Sequence, residues 1–152
     1  MGNFKTLSGK EIGDLVLYLK EYYSKNEAIE LIIGSDSQSY GSKKTIYGVV
    51  IVLYKKGKGG HVLCSRETKP KEYDLSTRLV TEVWKSIEVA ELLKVNGFTI
   101  KYIDIDINGK PEYKSNKVLN QAVGMVEGMG YNVRHKNSGA MVTYSANHLV
   151  RI

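Results

Sequence analysis

The sequence predicts a single α/β domain whose sheet contains both antiparallel and parallel strands. Two observations support this: three successive segments rich in β-branched and apolar residues come early, and helices and strands then alternate along the chain. Successive strands favour an antiparallel meander, whereas strand–helix–strand units favour parallel crossovers. The length of 152 residues, without repeats or linkers, fits one domain over residues 1–152.

The first half of the chain predicts one helix and three strands. Residues 8–24 have apolar side chains at helical spacing, and Ser8 with Glu11 makes a capping box. The strands are AIELIIGSDSQ, TIYGVVIVLYKK and GGHVLCSRET, and KKGKGG joins the last two as a hairpin loop. The apolar run from Ile29 to Ile33 indicates a central strand buried on both faces.

The second half predicts alternating helices and strands. A helix from Leu75 to Val95 follows Pro70 and precedes the fourth strand, FTIKYIDIDIN. After the polar loop NGKPEYKSN, a helix over 115–129 leads to a short fifth strand, YNVRHKN. A last short helix is expected within residues 139–152.

The composition excludes several classes of protein. No apolar run approaches the roughly 20 residues that span a bilayer, and the N-terminus lacks a signal-peptide pattern, so we expect a cytoplasmic location. Cys64 is the only cysteine and the three histidines are scattered, which argues against a disulfide or a zinc site.

The formal net charge of +6 permits a polyanionic partner without requiring one. Several lysines cluster in the predicted hairpin of the second and third strands, where a solvated surface is the simpler interpretation. They are Lys43, Lys44, Lys55, Lys56 and Lys58.

The fourth strand carries two acidic residues on one face. Asp104 and Asp106 alternate with isoleucines, so their side chains start roughly 6–7 Å apart. Neighbouring carboxylates raise each other's pKa unless a cation lies near them. The strand is therefore either an edge strand with a solvated face or part of a cation site, with Asp106 the stronger candidate.

Two further acidic residues stand out. Asp36 ends the apolar run LIIG, where α/β folds place reactive groups, although an Asx turn would explain it equally well. Glu82 interrupts an apolar helical row that contains Leu75 and Val89, so it should pair with a buried cation or help bind a metal.

Together these carboxylates suggest one metal site. Carboxylate oxygens suit Mg²⁺ or Mn²⁺, and two such ions about 4 Å apart can promote phosphodiester cleavage. A site of this kind would explain both the acidic residues and the basic surface.

The stretches LIIGSDSQ, RLVTEVWKSIEVA, DIDIN, AVGMVEGMGY and YSAN, in this order and spacing, resemble the ribonuclease H-like superfamily. More narrowly, the chain is similar to the YkuK-type family of predicted ribonuclease H-like nucleases. The resemblance implies a five-stranded mixed sheet in the order 3-2-1-4-5, with strand 2 antiparallel, flanked by helices over a core of about residues 29–150. The N-terminal helix would be an addition to this core.

The resemblance also implies the site residues. The catalytic carboxylates would be Asp36, Glu82 and Asp106, which would bind metal, while Asn147 stands where a fourth acid is usual. The second of two ions would then bind more weakly, and Asp104 is a candidate compensating ligand. Candidate substrate-binding residues are Ser37, Gln38, Lys43, Lys44, Lys114 and Asn116.

The function expected is that of a metal-dependent nuclease acting on RNA, RNA–DNA hybrid or structured DNA. The alternative is a non-catalytic ribonuclease H-like module that binds nucleic acid or a protein partner, which the replacement by Asn147 favours. A phosphotransfer enzyme of the actin-like superfamily is disfavoured, because the chain is short and has no P-loop pattern.

Overall fold

The computed structural model describes residues 3–105 and 115–135. Within these ranges the chain forms three helices and six strands. In chain order they are β1 (Lys5–Thr6), α1 (Leu15–Lys25), β2 (Ile29–Tyr40), β3 (Lys44–Lys55), β4 (Gly59–Pro70), α2 (Leu75–Val95), β5 (Ile100–Ile105), α3 (Ser115–Gly128) and β6 (Val133–His135).

The strands form one mixed sheet in the order β1-β4-β3-β2-β5-β6. The pairs β1–β4, β4–β3 and β3–β2 are antiparallel, whereas β2–β5 and β5–β6 are parallel. The mixed α/β class and the relative order of the five predicted strands are confirmed. The prediction of five strands is wrong, because β1 adds a sixth at the edge. Its two residues are too few to show a period in the sequence.

The N-terminal helix begins later than predicted. Its N-cap is Asp14, whose side chain accepts a hydrogen bond of 3.0 Å from the backbone N–H of Leu17. The predicted capping box of Ser8 and Glu11 is therefore wrong. Gly9 and Gly13 have φ angles of 93° and 70°, which a right-handed helix excludes, so the chain turns here before α1 starts.

The other boundaries agree closely with prediction. The helix α2 begins after Asp74, which accepts from the backbone N–H of Thr77 at 3.0 Å, and it ends at Val95 as predicted. The predicted helix over 139–152 and the end of the fourth predicted strand lie outside the described residues. None of the described helices is both long and apolar enough to cross a membrane.

The central strand is buried on both faces, as predicted. Leu31 and Ile33 are fully buried in the main core, which all three described helices join. Ile32 points to the other face and packs in a second cluster with Val50 and Val52. Among the described residues this second cluster contains strand residues only.

The position of the first helix can be tested through its cap. Asp14→Ala should lower the free energy of unfolding by about 1 kcal/mol, because one backbone N–H of the first turn loses its partner. The matched control is Ser8→Ala, which should stay within about 0.5 kcal/mol of wild type because Ser8 is exposed and outside the helix. Urea denaturation followed by circular dichroism measures both. A larger loss in Ser8→Ala would restore the predicted start of the helix.

Candidate functional site

The helix α2 lies against the end of β2 through polar side chains rather than apolar ones. Positions four apart on the helix face positions two apart on the strand, because four helical residues rise about 6 Å and two strand residues rise about 6.6 Å. Three pairs of side chains meet in this way: Ser86 with Ser35, Glu82 with Ser37, and Arg78 with Ser39. We call these three pairs the α2–β2 polar ladder.

Hydrogen bonds join every step of the ladder. The hydroxyl of Ser86 donates to that of Ser35 at 2.8 Å, and Ser35 in turn donates to the backbone carbonyl of Glu82 at 2.6 Å. The guanidinium Nη1 of Arg78 donates to the hydroxyl of Ser39 at 3.1 Å. The ladder therefore determines how α2 is placed along β2.

Glu82 is the charged centre of the ladder. The residue is only 3% exposed, so it is buried, as its position in an apolar helical row indicated. Its Oε1 accepts a hydrogen bond from the hydroxyl of Ser37, which is itself buried. A carboxylate in such a place is stabilised only by hydrogen bonds or nearby positive charge.

Asp36 meets the same serine from the other side. It is half-buried on β2, and its Oδ1 accepts from the backbone N–H of Ser37 at 2.8 Å. Ser37 thus donates to both carboxylates, one through its backbone and one through its hydroxyl. Ser37 therefore contacts both of these predicted site residues.

The two carboxylates approach Ser37 from opposite faces of the sheet. Ser35 and Ser37 face α2, so strand alternation places Asp36 on the other face. Gly34 pairs with Asp104 of the parallel neighbour, and Asp104 therefore shares the face of Asp36.

Asp104 lies in an ion pair. It is 3% exposed, and its two oxygens accept from Nε and Nη2 of Arg134 at 2.8 and 3.0 Å. Arg134 is its register neighbour on β6 and also lies 5.1 Å from the ring centroid of Tyr102. Burial raises the pKa of Asp104, and Arg134 opposes that rise. Arg134 offsets the charge of Asp104 and occupies one acceptor position on each of its oxygens, so it would compete with a metal for this carboxylate.

The remaining candidates are scattered. Gln38 is half-buried on β2, and Lys43 and Lys44 are exposed at the turn into β3. Asn116 lies in α3, whereas three further candidates are outside the described residues: Asp106, Lys114 and Asn147.

Within residues 3–105 and 115–135, no group of three acidic, histidine or cysteine side chains is placed to hold a metal ion. The predicted three-carboxylate metal site includes Asp106, which is outside those ranges, so the site stays a prediction.

Sequence reasoning missed Arg78 and Arg134. Arg134 could have been found, because a fifth strand parallel to the fourth places its residues beside Asp104. Arg78 lies one helical turn before Glu82, and that spacing was the available signal.

An antiparallel meander followed by parallel crossovers, with acidic residues near the carboxyl end of the central strand, defines a class of α/β proteins that includes ribonuclease H-like folds. The ribonuclease H-like family model matches residues 14–151, and the chain belongs to this family. The narrower YkuK-type assignment stays a prediction.

Among solved structures, the chain is similar to endonuclease V of Ciona intestinalis, in a complex with a 24mer DNA containing an inosine followed by a ribo-adenosine. The identity is 16% and the TM-score 0.37, over 60% of this chain and 46% of that one. The chain thus matches less than half of that protein's length. No curated protein matches it in sequence.

The ion pair of Asp104 predicts a specific pattern of stability. Arg134→Met leaves a buried carboxylate without its cation and should lower the free energy of unfolding by about 3–5 kcal/mol at neutral pH. Adding Asp104→Leu should restore most of that loss, because the double variant buries no charge. Urea denaturation of the two variants and the wild type measures the difference.

The pH dependence of Arg134→Met has a definite sign. The pKa of Asp104 is already raised by burial, and removal of Arg134 raises it further. Protonation then removes the buried charge, so the deficit should shrink as the pH falls through the raised pKa. A deficit independent of pH, or equal in the single and double variants, would contradict the role of the ion pair.

Proposed function

We propose that this protein is a metal-dependent nuclease that hydrolyses phosphodiester bonds in RNA, RNA–DNA hybrid or structured DNA. The observation that carries the proposal is the match of residues 14–151 to the ribonuclease H-like family, in a fold that has Asp36 near the carboxyl end of the central strand and a buried Glu82 on the helix packed against that strand. Burial raises the free-energy cost of an ionised carboxylate, and a bound divalent cation would lower that cost.

The donor set fits Mg²⁺ or Mn²⁺, since both ions prefer oxygen ligands. In the proposed site Asp36, Glu82 and Asp106 hold the metal, and Asn147 contributes a neutral oxygen in place of a fourth acid. Two ions, the second bound more weakly, would activate water and offset the charge that develops on the phosphate.

The described residues have distinct tasks in this proposal. Ser37 donates to both carboxylates, to Asp36 through its backbone and to Glu82 through its hydroxyl, and so helps to orient them. The ladder around Glu82 keeps the helix in place while a substrate binds. The chain's excess of basic residues suits a phosphate backbone, with Gln38, Lys43, Lys44, Lys114 and Asn116 as candidate contacts.

A second candidate function is binding of nucleic acid or a protein without cleavage. Two observations favour it: Asn147 supplies no charge, and Asp104 is paired with Arg134 and so cannot readily compensate. This candidate predicts salt-sensitive binding of nucleic acid with no products.

Nuclease activity is tested with a panel of single- and double-stranded RNA, DNA and hybrids in Mn²⁺. Asp36→Asn and Glu82→Gln should each lower the cleavage rate by more than about 100-fold, because each removes a charged metal ligand. Glu88→Gln is the matched control, since Glu88 is exposed on the same helix, and it should cleave at the wild-type rate. Cleavage that survives the combined Asp36→Asn and Asp106→Asn changes would show that these residues are not the site.

The role of Ser37 is tested separately. Ser37→Ala should weaken the apparent Mn²⁺ affinity about 10- to 100-fold while leaving the rate at saturating metal much closer to wild type, because the serine orients ligands without being one. Titration of cleavage with Mn²⁺ measures both quantities. Ser39→Ala, one step along the ladder, is the control. A lower rate at saturation with unchanged metal affinity would assign Ser37 a different role.

A further inference from the structure

The turn between β2 and β3 is tied to the segment that leads into α2. The hydroxyl of Tyr73 donates to the carbonyl of Ser42 at 2.9 Å, and the ammonium of Lys71 donates to the carbonyl of Gly41 at 2.8 Å. The backbone N–H of Lys71 also donates to the carbonyl of Lys43 at 3.1 Å. These three bonds fix the position of both Lys71 and Tyr73.

The ring of Tyr73 is fixed and yet presented to solvent. It is 76% exposed, and the ammonium of Lys71 lies 5.3 Å from its centroid. The hydrogen bond that fixes the turn needs the hydroxyl of Tyr73, but it does not need the ring to be exposed to solvent. Tyr131, whose hydroxyl bonds Glu91 at 2.8 Å, shows the contrast, since its ring is only 6% exposed.

Besides Lys71, two further lysines lie on the turn that Tyr73 contacts. Lys43 and Lys44 are exposed on the turn, and the ammonium of Lys44 lies 5.9 Å from the ring centroid of Tyr40, so a second aromatic–lysine pair lies at the same hairpin. Residues 40–45 and 69–74 together contain four lysines and two acidic residues. One of those acids, Asp74, is engaged as the cap of α2. We call the five residues the Tyr73 surface: Tyr40, Lys43, Lys44, Lys71 and Tyr73.

The Tyr73 surface lies at the same end of the sheet as the two carboxylates. Tyr40 follows Asp36 by four residues on β2, which corresponds to roughly 13 Å along the strand. Tyr73 precedes the first residue of α2 by two positions, and Glu82 lies about two turns into that helix. An extended strand of nucleic acid could reach from one to the other within a few nucleotides.

We infer that the Tyr73 surface binds an unpaired strand of nucleic acid, with a base stacked on the ring of Tyr73 and the lysines on adjacent phosphates. Stacking on an exposed ring requires a base that is not already stacked and paired in a duplex. The inference rests on the proposed function and narrows it, because it assigns a single-stranded segment to the substrate beside the carboxylates.

The experiment measures binding by fluorescence anisotropy, with EDTA present so that metal and cleavage play no part. The probes are a labelled oligouridylate, a labelled oligothymidylate and a duplex of the same length. Wild type should prefer the single strands, and Tyr73→Ala should weaken their binding by about 10-fold or more, as expected for loss of one stacked base. Tyr73→Phe and Tyr73→Trp should stay near wild type, because each keeps an aromatic face.

Two double lysine variants test whether binding depends on where the lysines lie or only on the total charge of the protein. Lys43→Ala with Lys44→Ala removes two charges from the Tyr73 surface, and Lys56→Ala with Lys58→Ala removes two from the hairpin at the opposite end of β3. The first pair should weaken binding by several-fold more than the second and should lower its dependence on salt.

Four results would overturn the inference. The first three are equal affinity for single strand and duplex, unchanged binding by Tyr73→Ala, and equal losses in the two lysine pairs. The fourth is a loss in Tyr73→Phe as large as that in Tyr73→Ala, because it would assign Tyr73 to anchoring the turn. These outcomes are distinct from failure of the nuclease proposal. A protein that binds single strands in EDTA but never cleaves in Mn²⁺ would retain the Tyr73 surface and lose only the catalytic role.

Discussion

The burial of Glu82 between α2 and β2 is the constraint on which the rest of the site depends. A charged carboxylate in a protein interior must be hydrogen-bonded or paired, or it destabilises the fold. The α2–β2 polar ladder meets this requirement at one point and determines the placement of the helix at the same time. Ser37 also donates to Asp36 through its backbone N–H, so one strand residue contacts an acidic side chain on each face of the sheet.

A second acidic residue, Asp104, is buried on the opposite face of the sheet and has a different kind of partner. Asp104 is as deeply buried as Glu82, but it is paired with Arg134 through two hydrogen bonds and needs no metal. Arg134 is held further by the ring of Tyr102. The two acidic residues of the fourth strand therefore differ: Asp104 has a protein cation, and Asp106 remains the proposed ligand. The proposed metal ligands are therefore Asp36, Glu82 and Asp106, without Asp104.

The strand β2 links the proposed chemistry to the proposed binding surface. It carries Asp36 and Ser37 and then runs directly into the turn that Lys71 and Tyr73 fix. The segment that holds this turn leads into α2, which supplies Glu82. Strand, turn and helix thus form a continuous unit, so a strand of nucleic acid bound at the turn would lie at a set distance from the carboxylates.

The sequence by itself determined the elements whose signals are local or repeated. The apolar run Ile29–Ile33 predicted the central strand, and Pro70 with a long helical pattern predicted the bounds of α2, because burial on two faces and helical periodicity leave marks in neighbouring residues. The family resemblance supplied the strand order. The sequence did not reveal that Gly9 and Gly13 adopt positive φ angles, which rule out a helix that starts at Ser8. A glycine can adopt either sign of φ, and the turn in which it lies decides which one it takes.

Only the tertiary structure decided which partner each buried acid has. The register of α2 on β2 places Ser37 against Glu82, a contact that the apolar helical row around Glu82 did not indicate. Asp104 could have been a ligand, and the parallel pairing of β5 with β6 placed Arg134 beside it. The position of the Tyr73 ring likewise depends on the carbonyl of Ser42, 31 residues earlier in the chain. Such pairings join residues far apart in sequence, and no local pattern encodes them because they arise from strand order and from the packing of a helix on a sheet.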